Sequence, residues 1–428
     1  MNRTPINTKS LLQYAMIALP IAFAGFPLYI FAPDFYATRY GISLTLLGTI
    51  LLLIRLFDAV EDLVIGWIAD RLQGRFFSLV GIAGILLSLS IFGLFNVVFF
   101  SPVIWFILCM IIAVGAYSVL TIILGSYATL WTENKDDQTR IAAAREAFGL
   151  IGLIIAVSMP SFLFHIVNPN HVFIWYGVIL AILMLGSMLG FYQIFSPLFY
   201  VEMSRKKQSS SFLSGLCALP KQSIRLFIVY FVSMVASSIP AVLVIFYVRD
   251  FLEAENLIGV FLFFYFLSGV LGIPFWKKAS KYFGKYKAWF LSNIPAILGF
   301  YALFLGAKHV DLYCMVCLIS GFSLGADLIL PPSILSDDIH AHKNSQFSAT
   351  HYALLAFISK ASFALASAIA LPVLDLAGFR PQALNTENAL KVLSVCYSLI
   401  PCILKLVSAV LLYAFFIRSQ SGVNNETI

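Results

Sequence analysis

Charge is scarce in this chain. Of 428 residues, 27 are Lys or Arg and 20 are Asp or Glu, 11% in all, where soluble domains carry about 25%. So few polar side chains cannot cover a soluble globule, and a chain that is 61% hydrophobic cannot stay solvated as a disordered one. Cysteine is scarce as well. The six residues Cys109, Cys217, Cys314, Cys317, Cys396 and Cys402 lie mostly in apolar stretches. Cys314 and Cys317 have CxxC spacing, but no second pair or His stands near them, which points to inert buried thiols rather than a metal or redox centre. A secretory signal is lacking too: Arg3 and Lys9 precede an apolar run with no small-residue cleavage site after it. No nucleophile–base pair or metal set emerges near a membrane face, so an enzyme is not expected, and no cofactor is implied. The net charge of +7 is not a nucleic-acid signature here, because in a membrane chain basic residues collect in particular loops.

What the chain has is long apolar runs. Broken by Pro, Gly and charge, they fall at 11–32, 43–69, 76–98, 102–130, 140–167, 172–195, 223–249, 256–275, 287–306, 312–335, 346–377 and 390–417. A span needs about 20 residues, so twelve leave room for loops and for no soluble domain. The expected fold is an all-α integral membrane protein, with twelve transmembrane helices in two six-helix pseudo-symmetric bundles. The bundles are residues 1–195 and 223–428, joined by a cytoplasmic linker, 196–222, that carries Arg205, Lys206, Lys207 and a Ser run. Eighteen Lys and Arg lie at the termini and in the even-numbered loops. Five lie in the odd-numbered loops: Arg39, Arg249, Lys308, Arg380 and Lys391. The excess predicts that both termini are cytoplasmic. A monomer in a bacterial inner membrane is expected.

The halves echo each other. Gly66 to Arg75, after the second span, has a counterpart in Gly272 to Lys285 after the eighth, and Val114-Gly115-Ala116 is matched by Leu324-Gly325-Ala326. Paired halves of this kind mark secondary transporters, whose central site opens alternately to either side. A channel fits the repeat less well.

The segment Gly66 to Arg75 resembles the GxxxDRxGR loop of the major facilitator superfamily, with one extra residue before Gly74. The run Arg55-Leu56-Phe57-Asp58-Ala59-Val60-Glu61-Asp62, followed by Gly66, resembles the RxxDAxxDPxxG signature of the glycoside-pentoside-hexuronide:cation symporters, the melibiose permease-like family. It departs at Leu63, where the family has Pro, and at Glu61, where it has Asn. The resemblance implies symport of a small organic solute with a cation, the solute being a sugar, glycoside or uronide. A lysophospholipid or other amphiphile is the alternative.

On the second span, Arg55, Asp58 and Asp62 fall within about 60° of one another on a helix face, with Glu61 about 60° beyond Asp58. Asp62 and Asp58 stand about 12 and 18 Å along the axis from Asp70, near mid-bilayer, where an acid costs roughly 2.5–3.5 kcal/mol. Two readings stand: a coupling-cation site for H+ or Na+, or a salt bridge of Arg55 with Asp58. One arginine cannot neutralise three acids. The resemblance also matches Asp58 and Asp62 to the family's cation-site aspartates. Ser118 and Thr121 on the fourth span can complete either ion's site. Crowded carboxylates can share a proton, and the extra acid Glu61 tilts the choice toward H+.

Arg145 and Lys360 lie inside spans five and eleven, at equivalent places in the two halves. Isolated cations in apolar helices face a cavity or a counter-ion, so they are candidates for substrate contact, and the resemblance places both near the sugar. Tyr117 joins them as a candidate; Tyr14, Tyr29, Tyr117 and Tyr127 can stack on or hydrogen-bond a ligand, although each reads first as simple packing. The acids with which the family's best-known member grips a galactosyl group, on its first and fourth helices, have no counterpart here, which weakens a galactoside. Two bare cations suit an anionic or zwitterionic solute equally well. Asp327 is a buried acid, foremost a partner for Lys360. Asp70 and Arg71 are expected to brace one transport state through helix-end contacts. His340, His342 and His351 beside Asp337 and Asp338 read as a hydrated loop before a metal site.

Overall fold

The computed structural model describes residues 7–29, 31–42, 44–72, 75–99, 101–166, 171–194, 219–299, 310–380 and 384–418. Most of the expected linker, with Arg205 to Lys207 and Cys217, lies outside them. The helices of the first part are α1 (Thr8–Ala15), α2 (Ala18–Tyr29), α3 (Phe31–Tyr40), α4 (Leu44–Arg71), α5 (Phe76–Asn96), α6 (Pro102–Trp131), α7 (Lys135–Ile166) and α8 (Val172–Ile194). Those of the second part are α9 (Lys221–Phe246), α10 (Ile258–Phe283), α11 (Lys285–Gly299), α12 (Val310–Ala341), α13 (Ser348–Leu376), α14 (Glu387–Ser394) and α15 (Ile400–Leu412). Local chemistry sets the ends. Asn7 caps α1 by accepting from the Lys9 amide at 3.2 Å, Pro102 opens α6, and Thr386 caps α14. Gly284 takes φ +84° between α10 and α11, a conformation that glycine adopts without strain.

Nine of the described helical stretches are long and apolar enough to cross a membrane. The other expected spans differ for visible reasons. The first is interrupted between α1, α2 and α3. The second, α4, carries six charged residues in 28. Of the ninth, the described residues reach only to Gly299.

Helix α4 shows what the chain is built for. Its outward faces are apolar, with Leu53 60% and Val60 62% exposed, while Asp58 and Asp62 are 4% and 0% exposed. Helix α5 likewise exposes Ile82, Ile85 and Leu89 and buries Ser90 with Val80, Leu87 and Leu94. Water would reverse that arrangement. A hydrocarbon solvent favours it, since apolar side chains lose nothing by facing lipid and polar ones find partners only inside. The chain is a multi-pass integral membrane protein.

Two compact units make up the chain: Met1–Leu219 with Ile339–Phe357, and Pro220–Asp338 with Ile358–Ile428. The segment 339–357 thus groups with the first half, which sequence order alone does not suggest. In the first unit α2 packs on α7, α5 lies against α6 and α8, and α4 rests on α6. Buried tyrosines stitch these helices together through backbone carbonyls. Tyr14 donates to Leu124 at 2.7 Å, Tyr36 to Leu94 at 2.9 Å and Tyr176 to Phe23 at 2.8 Å. Each keeps its ring in the core and satisfies its hydroxyl.

In the second unit α15 packs on α9 and α11. Short π-helical turns at Tyr247–Phe251, Val395–Leu399 and Tyr413–Ile417 interrupt the α-helical ladder. Two of them meet. The Tyr247 ring stacks on that of Tyr397 at 4.1 Å, and the Tyr397 and Tyr313 hydroxyls are 2.5 Å apart.

Candidate functional site

The polar interior of the first unit is assembled from α4, α6 and α7. Asp58 and Asp62 share the buried face of α4 because four residues advance a helix by about 40° beyond a full turn. Asp58 accepts a hydrogen bond from the Ser118 hydroxyl at 3.0 Å. Glu61, off the main stripe, brings its carboxylate to Gly115 of α6. A Cβ there would lie 3.4 Å from one carboxylate oxygen and 3.6 Å from the other, in ordinary contact. Tyr117 lies within electrostatic range of Asp58, Asp62 and Glu146 and has its ring against Gly25 of α2. Thr121 is turned elsewhere: its hydroxyl donates to the Tyr117 and Ser118 carbonyls of its own helix, at 3.1 and 3.0 Å. Arg55, by contrast with the two aspartates, is exposed.

Arg145 is not a bare cation. Its Nε and Nη2 both donate to Oε1 of Glu146, at 2.9 and 2.7 Å. Neighbouring residues on a helix point about 100° apart, so Arg145 bends around the helix to reach its partner. It lies within electrostatic range of Tyr14 and Tyr352, and Tyr14 stacks on Tyr127 at 6.0 Å. Glu146 did not stand out in the sequence. The signal was the dipeptide Arg145-Glu146 in the otherwise apolar stretch of α7 that follows Arg140, where charge is costly as it is for the acids of α4. The Tyr29 side chain lies outside the described residues.

At one end of the same unit, α4 meets the start of α13. Asp70 accepts from the Ala349 and Thr350 amides, both at 2.8 Å, and from the Thr350 hydroxyl at 2.5 Å. A helix begins with amides that have no intrahelical partner and a partial positive charge, and a carboxylate from another helix satisfies both. The approach is close. A Cβ on Gly66 would stand 2.5 Å from the Ala353 Cβ and 2.9 Å from the Ala349 carbonyl oxygen. Ser126 and Ser348 hydroxyls, 2.5 Å apart, and the Thr129 hydroxyl, donating to Tyr352 at 3.1 Å, extend the contact. Arg71 stacks its guanidinium over Trp67 at 3.9 Å.

His340 brings Nε2 to 2.6 Å from the Thr129 carbonyl, and His351 is buried, so these two belong to packed structure and not to a hydrated loop. No group of three His, Cys, Asp or Glu side chains among the described residues has the geometry of a metal site.

In the second unit, Asp327 takes Lys405 as its partner and not Lys360. The Lys405 ammonium is 2.5 Å from Oδ2 and donates to the Ser233 hydroxyl at 2.9 Å. Trp289 Nε1 and the Ser233 hydroxyl donate to Oδ1, at 2.9 and 3.3 Å. All four residues are buried. Sequence spacing could not choose between the two lysines, because the choice depends on α15 packing on α9 and α11. Lys360 is partly buried on α13, within the portion that groups with the second unit.

The profile of the family described as MFS/sugar transport protein matches residues 13–419. Two relatives are uncharacterized symporters of Bacillus subtilis (strain 168). YnaJ is 24% identical over 88% of this chain and 84% of its own length. YjmB is 23% identical over 87% and 84%. Among solved structures, the E. coli fucose:proton symporter FucP superposes with a TM-score of 0.67 at 14% identity, covering 95% of this chain and 99% of that one. The proton:xylose symporter XylE, bound to 6-bromo-6-deoxy-D-glucose, gives 0.65 at 12% identity over 95% and 94%. A bacterial homologue of the iron transporter ferroportin gives 0.65 at 13% over 95% and 98%.

Proposed function

The chain belongs to the MFS/sugar transport protein family, whose members are transporters and not enzymes, and from that premise we propose that it is a cation-coupled symporter of a small sugar or glycoside. The observation that carries the reading is the acid cluster of the first unit. Four carboxylates (Asp58, Glu61, Asp62 and Glu146) and Tyr117 gather on three helices of a membrane protein. An acid in a bilayer is tolerated where it binds something. Crowded carboxylates can share a proton, so H+ is the coupling ion we favour. The Ser118 hydroxyl on Asp58 is suited to hold that carboxylate in place through proton uptake and release.

Within that cluster Glu146 and Tyr117, with Arg145 paired to Glu146, offer the donors and acceptors that a hydroxylated solute needs. Lys360, on α13, is a further candidate for solute contact. In the proposed cycle, proton and solute load together, and access alternates between the two faces of the membrane. Asp70 on the start of α13 serves as a latch that must form in one state and part in the other. The distribution of basic residues supports cytoplasmic termini, and the relatives are bacterial, which supports the inner membrane.

The test is uptake into proteoliposomes of labelled neutral sugars and glycosides, with an imposed pH gradient, with a Na+ gradient, or with neither. Accumulation driven by the pH gradient is expected. Accumulation driven only by Na+ would reassign the ion, and no sugar uptake under any gradient would refute the substrate class.

A further inference from the structure

We propose that Glu146 acts as a charge filter on Arg145, so that the site admits neutral hydroxylated solutes and excludes carboxylated or phosphorylated ones. This rests on the sugar-transport reading above and adds a specificity-determining residue to it.

The Arg145 guanidinium has five N–H donors and a permanent charge. Left bare in a membrane interior, it is a binding site for a carboxylate or a phosphate. Here two of its donors converge on a single oxygen, Oε1 of Glu146, at 2.9 and 2.7 Å. The charge is cancelled locally, yet the pair is not closed. Its side chains keep 17% and 24% exposure, and Glu146 Oε2 takes no hydrogen bond among the described residues. The couple therefore presents spare N–H donors beside a spare carboxylate oxygen. Adjacent hydroxyls of a sugar, each both donor and acceptor, match that arrangement.

An anion does not match it. To reach Arg145 it must displace the Glu146 carboxylate, leaving a second negative charge partly buried and without its cation. The surroundings oppose it further, because Tyr117 lies within electrostatic range of Glu146, Asp58 and Asp62 together. Acids outnumber the arginine on this side of the unit. A carboxylated or phosphorylated solute thus meets repulsion where the sequence alone suggests attraction.

The experiment measures binding by calorimetry to purified protein, using matched probes: methyl glucoside against methyl glucuronide, and methyl galactoside against methyl galacturonide. The wild-type ratio is read first and needs no variant. The neutral member of at least one pair should bind tenfold or more tightly than its uronide, and preference for the uronide overturns the proposal. In Glu146→Gln the ratio should fall at least tenfold, since the amide keeps the shape and uncovers the arginine. Glu146→Asp should keep the wild-type preference. A ratio unchanged within twofold in folded Glu146→Gln, judged by its melting in detergent, also overturns the proposal.

If wild type binds no probe, the sugar reading fails by itself. The filter is then decided by phenylglyoxal modification followed at the peptide that carries Arg145. Freed from its carboxylate, Arg145 should react at least fivefold faster in Glu146→Gln than in wild type, and an equal rate refutes the filter.

Discussion

At Asp62 the side chain is fully enclosed on α4, and at Asp58 a serine hydroxyl from α6 holds the carboxylate. If these acids carry the proton, Asp62→Asn should abolish accumulation against a gradient and leave energy-independent solute exchange measurable in preloaded vesicles. Normal pH-driven accumulation by that variant would remove Asp62 from the coupling site. Lys405 and Asp327 allow a different prediction. Removing one partner of a buried pair strands the other charge, at a cost of about 3–5 kcal/mol, whereas replacing both is often close to neutral. Lys405→Met should therefore lower the melting temperature sharply, and the double variant with Asp327→Asn should recover most of the loss. Additive losses would mean that the pair contributes little. At this scale the sequence was informative about which residues matter and poor on who touches whom. The acids of α4 are visible because charge in an apolar run is costly. The partner of Arg145 is its neighbour in sequence and was overlooked, whereas that of Asp327 is not visible because it depends on tertiary packing. Thr121 also looks like a ligand on paper, until its hydroxyl is seen to return to its own helix.

At the scale of elements, the junction of α4 with the start of α13 is the feature most open to test. Asp70 plays the part of an N-cap supplied from outside the helix, and caps contribute about 1 kcal/mol. Gly66 permits the approach. Introducing cysteines through Asp70→Cys and Thr350→Cys, then oxidising, should form a cross-link that stops transport, and a reductant should restore it. Cross-linked protein that still transports would show that the contact never has to part. Gly66→Val should weaken cross-linking efficiency several-fold, since a side chain there meets Ala353 and the Ala349 carbonyl. The long apolar helices were legible from hydropathy, unlike the breaks between α1, α2 and α3 and the π-helical turns. Those turns depend on how Tyr247, Tyr313 and Tyr397 pack, and no local pattern announces them.

For the whole molecule, the two sets of loops carry eighteen and five basic residues, so a cysteine placed at position 206 should be labelled by a membrane-impermeant maleimide only from the cytoplasmic side. Labelling from outside would invert the topology. Long apolar helices were readable from the sequence because a bilayer enforces them. The grouping of residues 339–357 with the first unit was not, because it is a matter of which surfaces touch. The buried pair Lys405 and Asp327 has a consequence for how the protein is made. Synthesis runs from the N-terminus to the C-terminus, so α9, α11 and α12 reach the bilayer before α15. A lysine at mid-span opposes insertion by roughly 2.5–3.5 kcal/mol on its own, and here it arrives to find an acid, an indole and a hydroxyl already waiting. Helix α15 is thus received by helices made before it, and the order of synthesis places the acid in the membrane before the base that neutralises it.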